Sequence, residues 1–467
     1  MIRKFQIKTV PSSWLQHNGR RLDCGPYLSG AIEAKELLKK FHTEELNCLT
    51  AGFGDGIFNG PRFPRTYVEG RQHGVPFLGS TDILSADLST LELLSNKQVS
   101  TNPALLIDEG WTLITCSGTI GRMAYARKDM KGMAGSQHFM RVVPNAEKIR
   151  PGYLYAYLAS RFGVPLIVSG TYGAIIQHIE PHHISDLPVP RLGRIEDEAH
   201  ELIQRAADLR AQASDQIELA TKDVINELGL TKLDSKGVTE FGCSIISSAN
   251  LRSRLDAPFH SPAALQAEAS VRGGRHRAEK LKDVVARLFK PPIFKRIWVE
   301  GPKYGPQFIS GNDAYLYHAN EPRYVSTRTP NFDEFIVKKG WVIFQAAGQV
   351  YGLFGRPLFV YGWLEDVFCA DDLYRIVPKS LEDGAYIYLF FRTPHGQALV
   401  KRQAAGNSIP RVWDPHMEGF ELPWPDEPTR KKLALPVIEA HEKIAEALAQ
   451  ELQAIALVER TIEEGGR

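Results

Sequence analysis

The sequence predicts an α+β fold in which two similar halves are separated by two long antiparallel helices, forming a pseudo-two-fold internal repeat. Two observations carry that expectation. A set of short motifs recurs in the same order at a nearly constant distance, and each copy is followed by a long run with heptad spacing. The chain has 467 residues, too many for one ordinary core, so two or more domains that bury their own apolar interiors are expected.

The repeat opens with Arg21-Leu22-Asp23-Cys24-Gly25-Pro26-Tyr27, answered by Arg254-Leu255-Asp256-Ala257-Pro258-Phe259. The stretch from Gly74 to Asp82 then matches Gly305 to Asp313. Glu109-Gly110-Trp111-Thr112-Leu113-Ile114 matches Lys339-Gly340-Trp341-Val342-Ile343-Phe344, and each is followed by a glycine-punctuated turn, Ser117 to Gly121 and Ala347 to Gly352. Arg141-Val142-Val143-Pro144 pairs with Arg375-Ile376-Val377-Pro378, and Leu187-Pro188-Val189-Pro190 with Leu422-Pro423-Trp424-Pro425. The five matches lie between 230 and 235 residues apart, which makes two copies of one module. Residues 111–115, 341–345, 137–143 and 373–377 read as strands, rich in β-formers; Tyr153–Ser160 and Tyr386–Phe391 read as short buried helices.

Beyond Pro190, the run from Arg194 to Leu228 lacks proline and glycine and carries Ile195, Ala199, Leu202, Ala206, Leu209 and Ala213 at alternating spacings of four and three. After Pro436, Ile444, Leu448, Ile455, Val458 and Ile462 form a similar stripe that Glu451 interrupts. A helix of roughly 35 residues spans about 50 Å, enough for a spacer. The expected division is therefore 1–190, a spacer helix over 191–230, a second domain over 231–428, and a second spacer helix over 429–467.

At 43% hydrophobic and 24% charged residues, the composition is that of a soluble globular chain. The start, Met1 to Trp14, lacks the apolar core of a signal peptide, and no stretch approaches a spanning helix, so the cytoplasm is the expected compartment with no membrane partner. Five scattered cysteines, without close pairs, read as reduced structural thiols. The net charge of +2 neither demands nor excludes nucleic acid, since local clusters govern phosphate contact.

Such clusters interleave with aromatics. Arg62, Arg65 and Arg71 surround Phe63 and Tyr67; Arg122, Arg127, Lys128 and Lys131 follow the first glycine turn. From Lys280 to Lys303, Lys280, Lys282, Arg287, Lys290, Lys295, Arg296 and Lys303 face only Asp283 and Glu300, after Arg272, Arg275, His276 and Arg277. Phosphate contacts supply affinity and register, while polar loop residues read base edges. A charge run is more often a solvated face, and a glycine turn more often a tight hairpin. Polar glycine-bearing loops recur before each Pro-rich end, Ser169 to Ala174 with Thr171 and Tyr172, and Ala404 to Arg411 with Asn407 and Arg411. Gln345 and Gln349 stand where the first copy has Thr115 and Thr119. The candidate DNA-contacting set is thus Arg62, Arg65, Arg71, Arg122, Lys128, Thr171, Tyr172, Lys295, Arg296, Lys303, Gln349, Asn407 and Arg411.

No catalytic residues and no metal are assigned. A Gly-Lys dipeptide, a Gly-x-Ser-x-Gly elbow, a His-Glu-x-x-His helix and an Asn/Asp-Pro-Pro-Tyr/Phe tetrapeptide are all absent. His178, His182 and His183 resemble a metal set, but their counterpart keeps only His416, so surface or capping histidines are the favoured reading. Arg-Leu-Asp in each copy reads as an internal ion pair or cap.

Taken in order and duplicated, these motifs resemble the specificity subunits of type I restriction-modification systems over almost the full length. The carriers are the two Arg-Leu-Asp openings, the Gly-x-Pro-Phe-Leu segment ending at Asp82, the pattern at 110–121, and Gly173-Ala174 through Ile179 to Leu187-Pro188-Val189-Pro190. The resemblance implies a non-catalytic subunit with two target-recognition domains, each reading half of a bipartite double-stranded DNA target. It also implies that the helices dock two adenine methyltransferase subunits, which bring S-adenosylmethionine, and that a separate restriction/translocase subunit completes a defence complex. No cofactor is implied on this chain. The sequence departs from the pattern after Pro190, where Arg191-Leu192-Gly193-Arg194-Ile195-Glu196 replaces the usual Pro-x-x-Glu-Gln-x-x-Ile, and at Asp426 to Arg430 in the second copy. The alternatives are a DNA-modifying or DNA-cleaving enzyme with an unrecognised motif and a protein scaffold that does not bind DNA.

Overall fold

The computed structural model describes residues 7–17, 24–169, 178–233, 243–248, 251, 254–319 and 322–465. Arg21, Leu22 and Asp23 of the first opening motif and two candidate residues, Thr171 and Tyr172, lie outside the described residues. The chain forms two compact units, Met1–Ala211 with Glu446–Arg467, and Gln212–Ala445. Each is an α+β assembly of short sheets and helices, and each holds part of two long helices, Arg194–Glu227 and Glu427–Glu463.

The first unit contains ten strands: β1 (Thr43–Glu45), β2 (Ile57–Asn59), β3 (Tyr67–Val68), β4 (Gly74–Leu78), β5 (Leu93–Ser95), β6 (Thr112–Thr115), β7 (Met123–Tyr125), β8 (Ala134–Gly135), β9 (Phe139–Val142) and β10 (Pro188–Pro190). One sheet runs β2-β9-β6-β7, another β3-β5-β4-β8, and a ribbon pairs β1 with β10. Strands β6 and β9 are buried along their whole length because each is flanked on both sides. The β-formers of Thr112–Thr115 suit that position, where both faces meet side chains. Helix Pro151–Leu158 packs on this sheet, and its Tyr153 and Tyr157 hydroxyls donate to the carbonyls of Pro190 and Pro188. Proline offers no ladder N–H, so β10 is confined to an edge, and the tyrosines fasten it there.

The second unit contains β11 (Ala278–Lys280), β12 (Arg287–Phe289), β13 (Trp298–Val299), β14 (Gln307–Ile309), β15 (Arg323–Val325), β16 (Val342–Gln345), β17 (Pro357–Phe359), β18 (Phe368–Cys369), β19 (Leu373–Val377) and β20 (Glu421–Pro423). Its sheets run β12-β19-β16-β17 and β13-β15-β14-β18, with a β11-β20 ribbon. Strand for strand this is the order of the first unit, including one parallel pair, β14 with β18 and β4 with β8. Helix Leu381–Arg392 covers the first sheet, and the Tyr386 hydroxyl donates to Pro423, 2.5 Å away. The sequence places the central strands and both helices correctly but starts the 137–143 strand two residues early. Residues 136–138 instead form the turn between β8 and β9.

The long helices correct the expected seams. In the first, Ala199, Ile203, Ala206, Ala213, Ile217, Ala220 and Val224 are buried, while Leu202 and Leu209 lie beside the stripe, partly exposed. In the second, Val437, Ala440, Ala447, Ala454, Val458 and Ile462 face inward, and Leu448 and Ile455 flank them. The expected Ala199, Ala206 and Ala213 of the first helix and Val458 and Ile462 of the second are buried as read, and the misplaced positions include the larger Leu202, Leu209, Leu448 and Ile455. The interrupting Glu451 is 3% exposed and pairs with Arg210 across 2.5 Å, and the Tyr155 hydroxyl donates to its other oxygen. No helix among the described residues is long and apolar enough to cross a membrane.

Candidate nucleic-acid interface

Each unit builds its loop apex around a buried guanidinium. Arg141 on β9 is wholly buried and donates to the carbonyls of Gly135 at 2.7 Å, Ser136 at 2.9 Å and Phe139 at 3.0 Å. Arg375 on β19 does the same for Cys369 at 2.8 Å, Ala370 at 3.0 Å and Leu373. Burial lowers both to about 10, so both stay charged at neutral pH, and each charge is spent on carbonyls that the turn would leave unpaired. The recurrence of Arg141 and Arg375 in the sequence reflects this internal clasp on the β8–β9 and β18–β19 turns.

The same backbone bonds bring three further segments to each turn. Cys116 N–H donates to His138 and Ala346 N–H to Asp372; Ile179 N–H donates to Cys116 and Val412 N–H to Ala346. Ser117 bridges His178 where Ala347 bridges Arg411. The connection after the central strand closes through Gly121 N–H to Thr115 in the first unit and Gly355 N–H to Gln345 in the second. Both glycines take positive φ, +82° and +74°, as a tight hairpin requires. Gly355, rather than Gly352, is therefore the counterpart of Gly121. The second loop is longer, and this is where the repeat distance changes from 230 to 234.

In the first unit the apex is a chain of polar groups. Arg65 Nη2 donates to Gln137 Oε1 at 3.0 Å, leaving Gln137 Nε2 to face His138 Nε2 at 3.0 Å. With an amide N–H directed at Nε2, the neutral imidazole carries its proton on Nδ1 and donates to Ser117 Oγ, 3.1 Å away. Burial, and then the charges of Arg65, His178 and Arg62, hold His138 below the usual imidazole range and favour that neutral form. Ser117 also lies 3.3 Å from His178 Nε2. In this tautomer His138 supplies a proton to Ser117 instead of withdrawing one, so the apex is a set of oriented donors and acceptors.

In the second unit the equivalent positions hold Ala347, Asp371, Asp372 and Arg411, which with Lys290, Ile293, Phe294 and Arg296 line a groove of about 390 Å³. Gln345 Nε2 donates to Asp372 Oδ2 at 3.2 Å, while Asp372 Oδ1 is buried with no hydrogen-bond partner among the described residues. Arg296 lies over the Phe308 ring at 5.2 Å as Arg65 lies over Phe77 at 4.8 Å, so these two exposed arginines occupy matching places.

The sequence-derived candidates divide accordingly. Arg65, Arg296 and Arg411 converge on the apices; Gln349 donates to Ser408 at 3.0 Å, tying its loop to the stretch that carries the exposed Asn407. Arg62, Lys128 and Lys295 are exposed, and Arg122 is half-buried. Arg71 and Lys303 sit away from the apices, on the β3–β4 and β13–β14 connections. Other basic residues have internal partners: Arg127 clamps Asp129, Lys131 pairs with Asp108, Arg287 with Glu334 and Arg272 with Glu421. Arg254 is bidentate to Asp256, the internal ion pair expected of that motif. His183 accepts from the Glu180 N–H in a capping box, and no metal-holding cluster exists among the described residues. A search for positive charge missed Ser117, Gln137, His138, Asp371 and Asp372, which are neutral or acidic and dispersed along the chain.

No family model and no curated protein matches the chain. Among solved structures, the type I restriction-modification S subunit from M. genitalium matches with 12% identity and a TM-score of 0.33, covering 91% of this chain and 96% of that one. The HsdS subunit from Thermoanaerobacter tengcongensis matches with 12% identity and a TM-score of 0.28, covering 92% and 97%. A structure from work on complex assembly and conformational transition of the type I R-M system matches with 13% identity and a TM-score of 0.28, covering 91% and 97%. Over about nine tenths of its length the chain is thus similar to S subunits of type I restriction-modification systems.

Proposed function

We propose that this chain is a non-catalytic DNA-specificity subunit whose two units are copies of one module, each reading half of a bipartite target. The observation that carries this reading is that identical strand orders present different side chains at equivalent apices. A scaffold that keeps its backbone bonds and varies only its exposed donors and acceptors suits a device that reads two different half-sites. In this reading the two long helices run antiparallel and hold the halves apart, dividing the chain near 1–190, 191–230, 231–428 and 429–467. They dock two adenine methyltransferase subunits, which supply S-adenosylmethionine, and a restriction/translocase subunit joins the cytoplasmic defence complex. Arg62, Lys128, Lys295 and Lys303 contact phosphate, and the apex side chains face bases.

The test is a duplex-binding titration of the full chain against salt. Binding should weaken steeply as salt rises, and Arg62→Ala and Lys295→Ala should each flatten the logarithmic slope by about one unit. Salt-insensitive binding without sequence preference would instead support the scaffold reading. In cells, deleting the gene should erase one gapped adenine-methylated motif, and survival of every methylated motif would refute the proposal.

A further inference from the structure

Building on that reading, we infer that the groove lined by Arg296, Asp371, Asp372 and Arg411 selects a guanine–cytosine pair in the half-site read by the second unit. Among the described residues, none of these four forms an ion pair with another, although they line one groove of about 390 Å³. Asp371, Arg296 and Arg411 thus stay available to an incoming partner, while Asp372, held by Gln345 and buried at Oδ1, backs the site from inside. A carboxylate accepts hydrogen bonds and cannot donate them. In the major groove it complements the exocyclic amine of cytosine and opposes the carbonyl oxygens of guanine and thymine. An arginine fork complements O6 and N7 of guanine, the partner base. Placed side by side, the two groups match both halves of one pair and fit no other pair as fully. Arg411 is held by its backbone, exchanging N–H and carbonyl bonds with Ala405 at 2.9 Å each, so its guanidinium issues from a fixed base.

The first unit supplies the contrast. The positions equivalent to Asp371, Asp372 and Arg411 hold Gln137, His138 and His178, and Ser117 replaces Ala347. An amide, two imidazoles and a hydroxyl both donate and accept, so that apex lacks the carboxylate–guanidinium combination. The two halves should therefore differ in whether a guanine–cytosine pair is obligatory at the apex-contacted position.

The experiment is enrichment of bound sequences from a pool of randomised duplexes by the full-length chain, compared with Asp371→Asn, the Asp371→Asn/Asp372→Asn pair, Arg411→Gln and, in the first unit, Gln137→Asp. The unaltered chain should enrich two separated blocks, one with an invariant guanine–cytosine pair. In the second-unit variants, discrimination at that pair should fall roughly ten-fold or more while the other block is unchanged. Gln137→Asp should alter only the other block. Asp371 is half-buried and its single variant leaves the Gln345–Asp372 bond in place, so that variant still decides the matter if the double variant does not fold. An unchanged preference in the Asp371 and Arg411 variants, or an equal loss in both blocks, overturns this assignment and leaves DNA reading intact. No enrichment by the unaltered chain removes DNA reading itself and this assignment with it.

Discussion

The apices of the two units share their backbone bonds and differ in almost every side chain that the bonds present. In the first, Arg65, Gln137, His138 and Ser117 form a connected polar chain; in the second, Arg296, Asp371, Asp372 and Arg411 line an open groove. What stays constant is internal: a buried arginine grips the turn, and tyrosine hydroxyls hold the Pro-rich edge strand. The difference teaches that the fold separates the residues that set the turn from those that face outward, so the outward set can change without refolding.

The largest test of that separation is to remove the clasp. Arg141→Met or Arg375→Met should destabilise by about 3 kcal/mol, because three buried carbonyls lose their donor at roughly 1 kcal/mol each. Hydrogen exchange should accelerate in 135–139 for the first and in 369–373 for the second, and unaltered protection would show that the turn holds itself. Acidification should next separate the units. His441 packs among Phe359, Tyr361 and Tyr388, and burial pushes it down to about 4. Its folded-state pKa lies below the unfolded value near 6.5, so the unfolded chain binds more protons as pH falls. Stability from this group is complete above about 6.5 and is lost progressively towards pH 4, by up to about 3 kcal/mol. Urea unfolding across that range should show the loss, and His441→Leu should remove it; an identical acid profile in the variant would refute the assignment.

A smaller effect probes the paired exchange of Thr115 for Gln345. A Cβ on Gly311 would lie 2.3 Å from Gln345 Oε1, whereas the first unit has Ser80 with Thr115 at the corresponding places. Gly311→Ser should cost up to about 1 kcal/mol, since the Gln345 amide must swing aside, and adding Gln345→Thr should recover most of it, as a double-mutant cycle would measure. Full additivity would mean that the two positions are independent. The smallest effect falls on Arg65→Lys, which should change stability by less than about 0.5 kcal/mol. It should nevertheless alter the His138 tautomer, read from imidazole nitrogen chemical shifts, because the amide of Gln137 is no longer fixed. Unchanged shifts would show that Gln137 is held by something else.

Much of the scaffold was legible because it rests on local signals. Short apolar runs behind Gly-Trp marked the central strands, and the order of Arg-Val-Val-Pro and Arg-Ile-Val-Pro marked their partners. The helix seams were legible in part: Ala199, Ala206 and Ala213 stood out by their spacing, whereas in the second helix Ala440, Ala447 and Ala454 carry little weight in a hydrophobic count and were passed over. The apices were hidden for another reason. The Gln137-His138 pair, Ser117 and His178 come together only through long-range bonds between turns, and nothing in their spacing announces it. Asp371 and Asp372 were passed over because the search was for positive charge, although reading a base demands acceptors as well as donors.

The pairing of Glu451 with Arg210 and Tyr155 works as a notch in a stripe of alanines and branched aliphatics. Sliding the helix by a heptad would carry that carboxylate away from Arg210 and Tyr155 and leave it buried alone, a penalty of several kcal/mol. Within the first unit, one buried charge therefore sets the register of the two helical segments, which the surrounding apolar contacts alone would leave looser.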